Sequence, residues 1–224
     1  MRRFLRDNGL SLFFGALFLI TLAAQSVAGW KDFNEELVAQ GDPTISWGRY
    51  LYSSEFGAAV LENWQSEFLQ FLLFILATIW LVQKGSNESK KLDEIGLESD
   101  QQQRVGGHAQ PNSPRFARTK GFLFHVYANS LLIVMGLCFL GSWLAQSVTA
   151  WTIYNAEQLD HELPAVTWAG YLATPDFWEK SLQNWQSEFL AVGTMAVFTI
   201  YLRQRGSPES KPVGAPHEET ASSG

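Results

Sequence analysis

At 224 residues with 46% hydrophobic content, the chain could pass in bulk for a soluble domain. A net charge of −6 without a basic stripe excludes a nucleic-acid partner, and the single cysteine, Cys138, excludes an internal disulfide. Distribution decides the class: the apolar residues are concentrated in four blocks, and the charges lie almost wholly outside them.

The chain opens with Arg2, Arg3 and Arg6, followed by an uncharged run from Leu10 to Trp30. That run has about the twenty residues a helix needs to span hydrocarbon. A basic start, an apolar stretch and Ser26-Val27-Ala28 also fit a cleavable secretory signal. The counterpart Leu131 to Trp151 ends on the same Ala-Gln-Ser-Val in mid-chain, where no signal peptide sits. Retention of the first helix is therefore expected.

Lys31 to Leu61 is a polar, acidic loop with a turn at Gly41 and Pro43. Trp47-x-x-Tyr50-Leu51 places its aromatics on one face of a short helix suited to a membrane interface. A second span runs from about Asn63 to Gln83 and ends at Lys84. Residues 85–120 are rich in Gly, Ser, Gln and charge, so they read as a flexible linker. Phe122 to Trp151 holds a third span, Trp168 to Leu172 a second interface segment, and Asn184 to Leu202 a fourth span. Thr174-Pro175-Asp176 has the order of an N-cap, a proline at the first helical position and an acid in the first turn. Residues 206–224 read as a disordered tail.

The seven residues Asn63-Trp64-Gln65-Ser66-Glu67-Phe68-Leu69 return letter for letter as Asn184-Trp185-Gln186-Ser187-Glu188-Phe189-Leu190. The offset is 184 − 63 = 121 positions. It also aligns Asn8 with Asn129, Trp30 with Trp151, Pro43 with Pro164 and Tyr50 with Tyr171, without a gap from Asn8 to Lys90. Roughly 40% of the aligned positions are identical, which marks an internal repeat. The expected organisation is a first two-span repeat over 1–84, the linker over 85–120, a second two-span repeat over 121–205 and the tail over 206–224. The fold class is all-α: an integral membrane four-helix bundle of two tandem two-span repeats.

Lys and Arg collect in the N-terminal arm, the linker and the tail, while the two other loops hold only Lys31, Arg49 and Lys180. The positive-inside rule then places both termini and the linker in the cytoplasm. The two repeats have parallel topology, related by an axis along the membrane normal.

Helix rise sets the depth of the polar residues. Arg6 to Gln25 is 25 − 6 = 19 steps, about 28 Å, and Glu67 to Lys84 is 84 − 67 = 17 steps, about 25 Å. Gln25 and Glu67 thus reach similar depth. The candidate cluster is Gln25, Ser26, Asn63 and Glu67 with their repeats Gln146, Ser147, Asn184 and Glu188. Three roles fit it: interhelical hydrogen-bond glue, a paired-carboxylate ion or proton site, or carboxylates facing outside water. Catalytic signatures are absent, with no His-Glu-x-x-His, Gly-x-Ser-x-Gly, Walker loop or paired-Cys motif. No catalytic, cofactor or metal residue is assigned, and Asp160-His161-Glu162 reads as an exposed loop.

The paired seven-residue motifs, each with Ala-Gln-Ser-Val upstream, resemble an uncharacterised family of small bacterial four-span membrane proteins. The resemblance implies the bacterial cytoplasmic membrane and supplies no activity. The leading expectation is a non-enzymatic structural or partner-binding subunit. The alternative is a small transporter or channel-like protein using Glu67 and Glu188, and the third is a membrane enzyme. The expected partners are the lipid bilayer and a second copy or another membrane protein.

Overall fold

The computed structural model describes residues 2–221, with Arg2 described by its backbone alone. The expectations for Met1 and for 222–224 lie outside the described residues. Among the described residues every regular element is helical. Eight α-helices run in chain order: α1 (Arg2–Asp7), α2 (Gly9–Gln40), α3 (Trp47–Tyr50), α4 (Ser54–Trp80), α5 (Phe122–Ala128), α6 (Ser130–Asp160), α7 (Trp168–Tyr171) and α8 (Pro175–Tyr201). Two of them, α2 and α6, are long and apolar enough to cross a membrane. Helices α4 and α8 are each 27 residues long and carry the polar Asn-Trp-Gln-Ser-Glu segment.

Local chemistry explains where the helices break. Asn8 separates α1 from α2, and its side-chain amide donates to the carbonyl of Phe4 at 2.9 Å. Asn129 does the same between α5 and α6, donating to His125 at 2.8 Å. A side chain bonded to the turn behind it competes with the helical ladder. Helix α2 ends on Gly41 at φ +85°, with the Asp42 amide donating to the Leu37 carbonyl at 2.8 Å. After α6 the equivalent position is Glu162, held at φ +58°, and the Leu163 amide donates to Gln158 at 2.8 Å. The first copy uses the residue without a Cβ penalty; in the second, the carboxylate-bearing residue belongs to this cap. Thr174 caps α8 by accepting from the Phe177 amide at 3.4 Å, and the Ser53 hydroxyl accepts from the Phe56 amide at 3.2 Å.

After each of α2 and α6 the returning chain is clasped to the helix by the same bonds. The Trp30 indole and the Asn34 amide both donate to the Ile45 carbonyl, at 2.7 and 3.0 Å, and the Ile45 amide donates back to Asn34 at 2.8 Å. Trp151, Asn155 and Val166 repeat this at 2.8, 3.0 and 2.8 Å. Asparagine can satisfy the donor and acceptor of one residue together, so it fixes the register of the loop.

The chain divides into two compact units, one of Met1–Val60 with Val148–Thr167, the other of Leu61–Ser147 with Trp168–Gly224. The division cuts through α4 and α6. The core of the first unit includes Ser26, Tyr50, Ala58 and Ala150. The Tyr50 ring lies 5.9 Å from Phe33 and 5.5 Å from Phe56, and its hydroxyl closes directly over Gly29. Burial first, then Glu55, Asp32 and Glu36, push the Tyr50 phenol above its ordinary value of 10.0. The fold therefore favours neutral Tyr50. Below the unfolded value, about 10, that contribution is fully present, and it is lost as pH rises towards the folded value. Thermal melts should show wild type losing stability above pH ~10 more steeply than Tyr50→Phe; parallel alkaline limbs would reject this.

In the second unit the chain beyond α4 and α8 turns in the same way twice. Gly85 and Gly206 both take φ +85°. The Gln83 amide donates to Ser89 Oγ at 2.8 Å, and the Gln204 amide to Ser210 Oγ at 2.9 Å. Lys90 pairs with Glu98, which holds that carboxyl below its usual range. Lys211 is only 1% exposed, and its ammonium donates to the carbonyls of Gly85, Pro216, His217 and Glu219 at 2.7–3.2 Å. Further on, two short 3-10 helices, Gly106–His108 and Arg115–Arg118, lie among turns.

Candidate functional site

Six of the eight cluster residues belong to the second unit, while Gln25 and Ser26 belong to the first. Gln25 is exposed. Ser26 is buried, donates to the Ala23 carbonyl at 2.8 Å and accepts from the Trp47 indole at 3.2 Å. Its repeat Ser147 is buried likewise and accepts from Trp168 at 3.1 Å. Asn63 and Glu67 are exposed, and Asn184 and Glu188 half-buried. The Asn184 amide bonds its own helix, at the Lys180 carbonyl, 2.9 Å away.

The centre of the second unit is a residue of the motif that the depth argument passes over. Gln65 is wholly buried, and its side-chain oxygen accepts from the Trp185 indole at 2.7 Å. Trp185 packs 5.7 Å from Trp143, which stacks 5.8 Å from Phe177 and 5.6 Å from Phe139. The Trp143 indole in turn donates to the buried Ser181 hydroxyl at 3.2 Å. Each indole brings a large apolar ring with one N–H that needs an acceptor when buried, and Gln65, Ser147 and Ser181 are those acceptors. Tyr171, also wholly buried, packs against Phe177 and donates to Asp176 at 2.9 Å.

Two groups of charge flank this core. The fully buried Gln146 side chain neighbours the Glu62 carboxylate, which faces Lys180. Lys180 pairs with Asp176 at 3.1 Å. Glu188 feels the charge of Glu67 and has the Ser66 hydroxyl as its hydrogen-bond neighbour. Ser66 Oγ also lies 2.9 Å from the Asn63 carbonyl. One hydroxyl proton serves one of these acceptors at a time. Among the described residues no group of three or more His, Cys, Asp or Glu is placed to hold a metal ion.

A family model described as a domain of unknown function, DUF6766, matches residues 1–222. The chain belongs to this family. No curated protein and no solved structure matches it. The match takes in residues 85–120 and 206–222 as well as the helices.

The two copies of the motif, identical in sequence, have opposite surroundings. Gln65 and Ser66 are buried, Gln186 and Ser187 exposed. The positions that differ between copies explain it. Trp143 stands where the first copy has Leu22, and Ser181 where it has Val60. The large ring and its hydroxyl partner occur once, so only one site is built around them. That pair of substitutions was the available signal. The turn motif had one too, in the repeated Gly-Ser-x-Glu-Ser-Lys.

Proposed function

We propose that this chain is a four-span protein of the bacterial cytoplasmic membrane, non-enzymatic, serving as a structural or partner-binding subunit. The observation that carries this is the Trp185–Gln65 bond: the repeated motif spends its buried polar group joining α8 to α4. Trp168–Ser147 and Trp143–Ser181 support it in the same way. Interhelical bonds of this kind contribute about 0.6–2 kcal/mol each in a membrane.

In this reading α4 and α8 cross the membrane as α2 and α6 do. The cytoplasmic side takes the termini, the linker and the turns at Gly85 and Gly206. Reporter fusions after Gly224 and within 99–114 should both report cytoplasm, and insertions at Gly41 and His161 the exterior. An external C-terminus would sink the four-span arrangement.

A second reading has one specific observation in its favour. Glu67 and Glu188 lie close enough for one charge to act on the other, with Ser66 beside them, as in a cation or proton site. Thermal stability in detergent across pH and salts separates the two. Under the structural reading wild type, Glu67→Gln and Glu188→Gln give the same pH and cation dependence, since the amide still bonds. A cation- or pH-dependent shift in wild type that both variants lose would replace it with the carboxylate site.

A further inference from the structure

Charge is unevenly spread along the chain. Residues 84–100 mix lysine with aspartate and glutamate, whereas 101–156 hold Arg104, Arg115, Arg118 and Lys120 without a single Asp or Glu. Three of these cations lie in and just after the 3-10 helix Arg115–Arg118. Arg115, Arg118 and Lys120 are exposed, and no ion pair among the described residues uses them. The Arg118 guanidinium donates to the carbonyls of Gln110 and Pro111, neutral groups that leave its charge uncompensated. The first copy treats its cations differently. In α1, Arg3 and Arg6 both pair with Asp7, at 3.4 and 3.1 Å. The 121-residue offset puts Ala128 where Asp7 stands, so α5 has no such acid.

Large apolar side chains are interleaved with these cations. Phe116 is 44% exposed, Phe122 80% and Leu123 59%. The Phe116 ring packs 5.3 Å from Tyr127, which ties the basic segment to α5. Leaving such groups in water is unfavourable. From α5 the chain passes through Asn129 directly into α6, one of the helices long and apolar enough to cross a membrane.

We infer that Arg115, Arg118 and Lys120, with Phe116, Phe122 and Leu123, form a docking surface for the anionic phospholipid headgroups of the adjoining leaflet. The inference rests on the four-span reading above and names the lipid class that its cytoplasmic face meets. In that reading this segment stands where α6 enters the membrane. Uncompensated cations attract anionic headgroups, while their alkyl stems and the neighbouring rings suit the boundary between headgroup and acyl chain. Complementarity identifies the occupant, because the surface has a cationic half and an apolar half. A zwitterionic leaflet matches the apolar half alone. A soluble anion matches the cations alone and leaves Phe116, Phe122 and Leu123 in water. An anionic leaflet matches both.

The test is hydrogen exchange of the full chain in nanodiscs of phosphatidylglycerol and in nanodiscs of phosphatidylcholine. Each cation near an anionic surface strengthens attachment about fivefold, so three together contribute on the order of 100-fold. Amides of 115–128 should therefore exchange about tenfold or more slower in phosphatidylglycerol. Salt at about 0.5 M should erase the difference by screening. The triple variant Arg115→Gln, Arg118→Gln, Lys120→Gln should lose it too, with thermal stability in phosphatidylcholine like that of wild type. Should that variant be unstable, the salt arm on wild type decides. Equal exchange in the two lipids, or a difference that survives salt, overturns the inference. Equal protection by soluble glycerol phosphate in phosphatidylcholine also overturns it, in favour of a small-anion site. Helix α6 keeps the two questions apart. If α6 is protected in both lipids while 115–128 is indifferent to them, the four-span reading stands and this surface falls. If α6 is unprotected in both, the four-span reading fails and the surface with it.

Discussion

Tyr171→Ala is expected to lower stability by about 3–5 kcal/mol, the range for removing a large buried aromatic ring. Tyr171 is 0% exposed, packs 5.6 Å from Phe177 and bonds Asp176 at 2.9 Å. The substitution empties the space beside Phe177 and removes a donor from a carboxylate that Lys180 still holds. Tyr171→Phe keeps the ring and loses only the hydroxyl, so its cost should be smaller, about 1.5–3 kcal/mol for a bond to a charged acceptor. Tyr52, 94% exposed, is the control, and Tyr52→Ala should stay within about 0.5 kcal/mol. Reversible unfolding in mixed micelles measures all three. Equal losses for Tyr171→Ala and Tyr171→Phe would show that the ring is not packed as described.

Gln65→Leu is expected to destabilise the chain by about 1–2 kcal/mol. Leucine matches the apolar surroundings, so the loss comes from the Trp185 indole, left with its N–H facing a hydrocarbon. Trp185→Phe should cost more, because it removes part of the ring packed on Trp143 as well as the bond. The double variant should show a coupling of about 1 kcal/mol, since each single change already breaks the same bond. Gln25→Leu, at an exposed position, should fall within about 0.5 kcal/mol of wild type. Strict additivity of Gln65→Leu and Trp185→Phe would mean that the 2.7 Å contact contributes nothing.

The two results bear on what could be read without coordinates. Local features were legible because their causes are local. Asn8 and Asn129 interrupt helices by bonding four residues back. Thr174 caps α8 with a residue three positions on. The short helices α3 and α7 follow from Trp-x-x-Tyr spacing. The recurrence of Asn-Trp-Gln-Ser-Glu-Phe-Leu is a property of the letters, and the all-helical class was legible in them. Membership in DUF6766 goes with those letters over nearly their whole length.

Which copy of an identical motif is buried could not be read from the motif, because its residues are the same in both. That was decided by Trp143 and Ser181, more than thirty positions apart in sequence and joined by a 3.2 Å bond in the fold. The depth arithmetic ordered residues along a helix axis and gave no rotation about it. It therefore grouped Asn63 with Glu67, both of which face outward, and passed over Gln65, which faces the core. The ammonium of Lys211 is a further case. Serine, glycine and proline around it have the composition of an unstructured tail, yet four backbone carbonyls converge on the charge and take it out of water. Composition reports how much apolar surface a segment can bury; it does not report which main-chain carbonyls a buried cation meets.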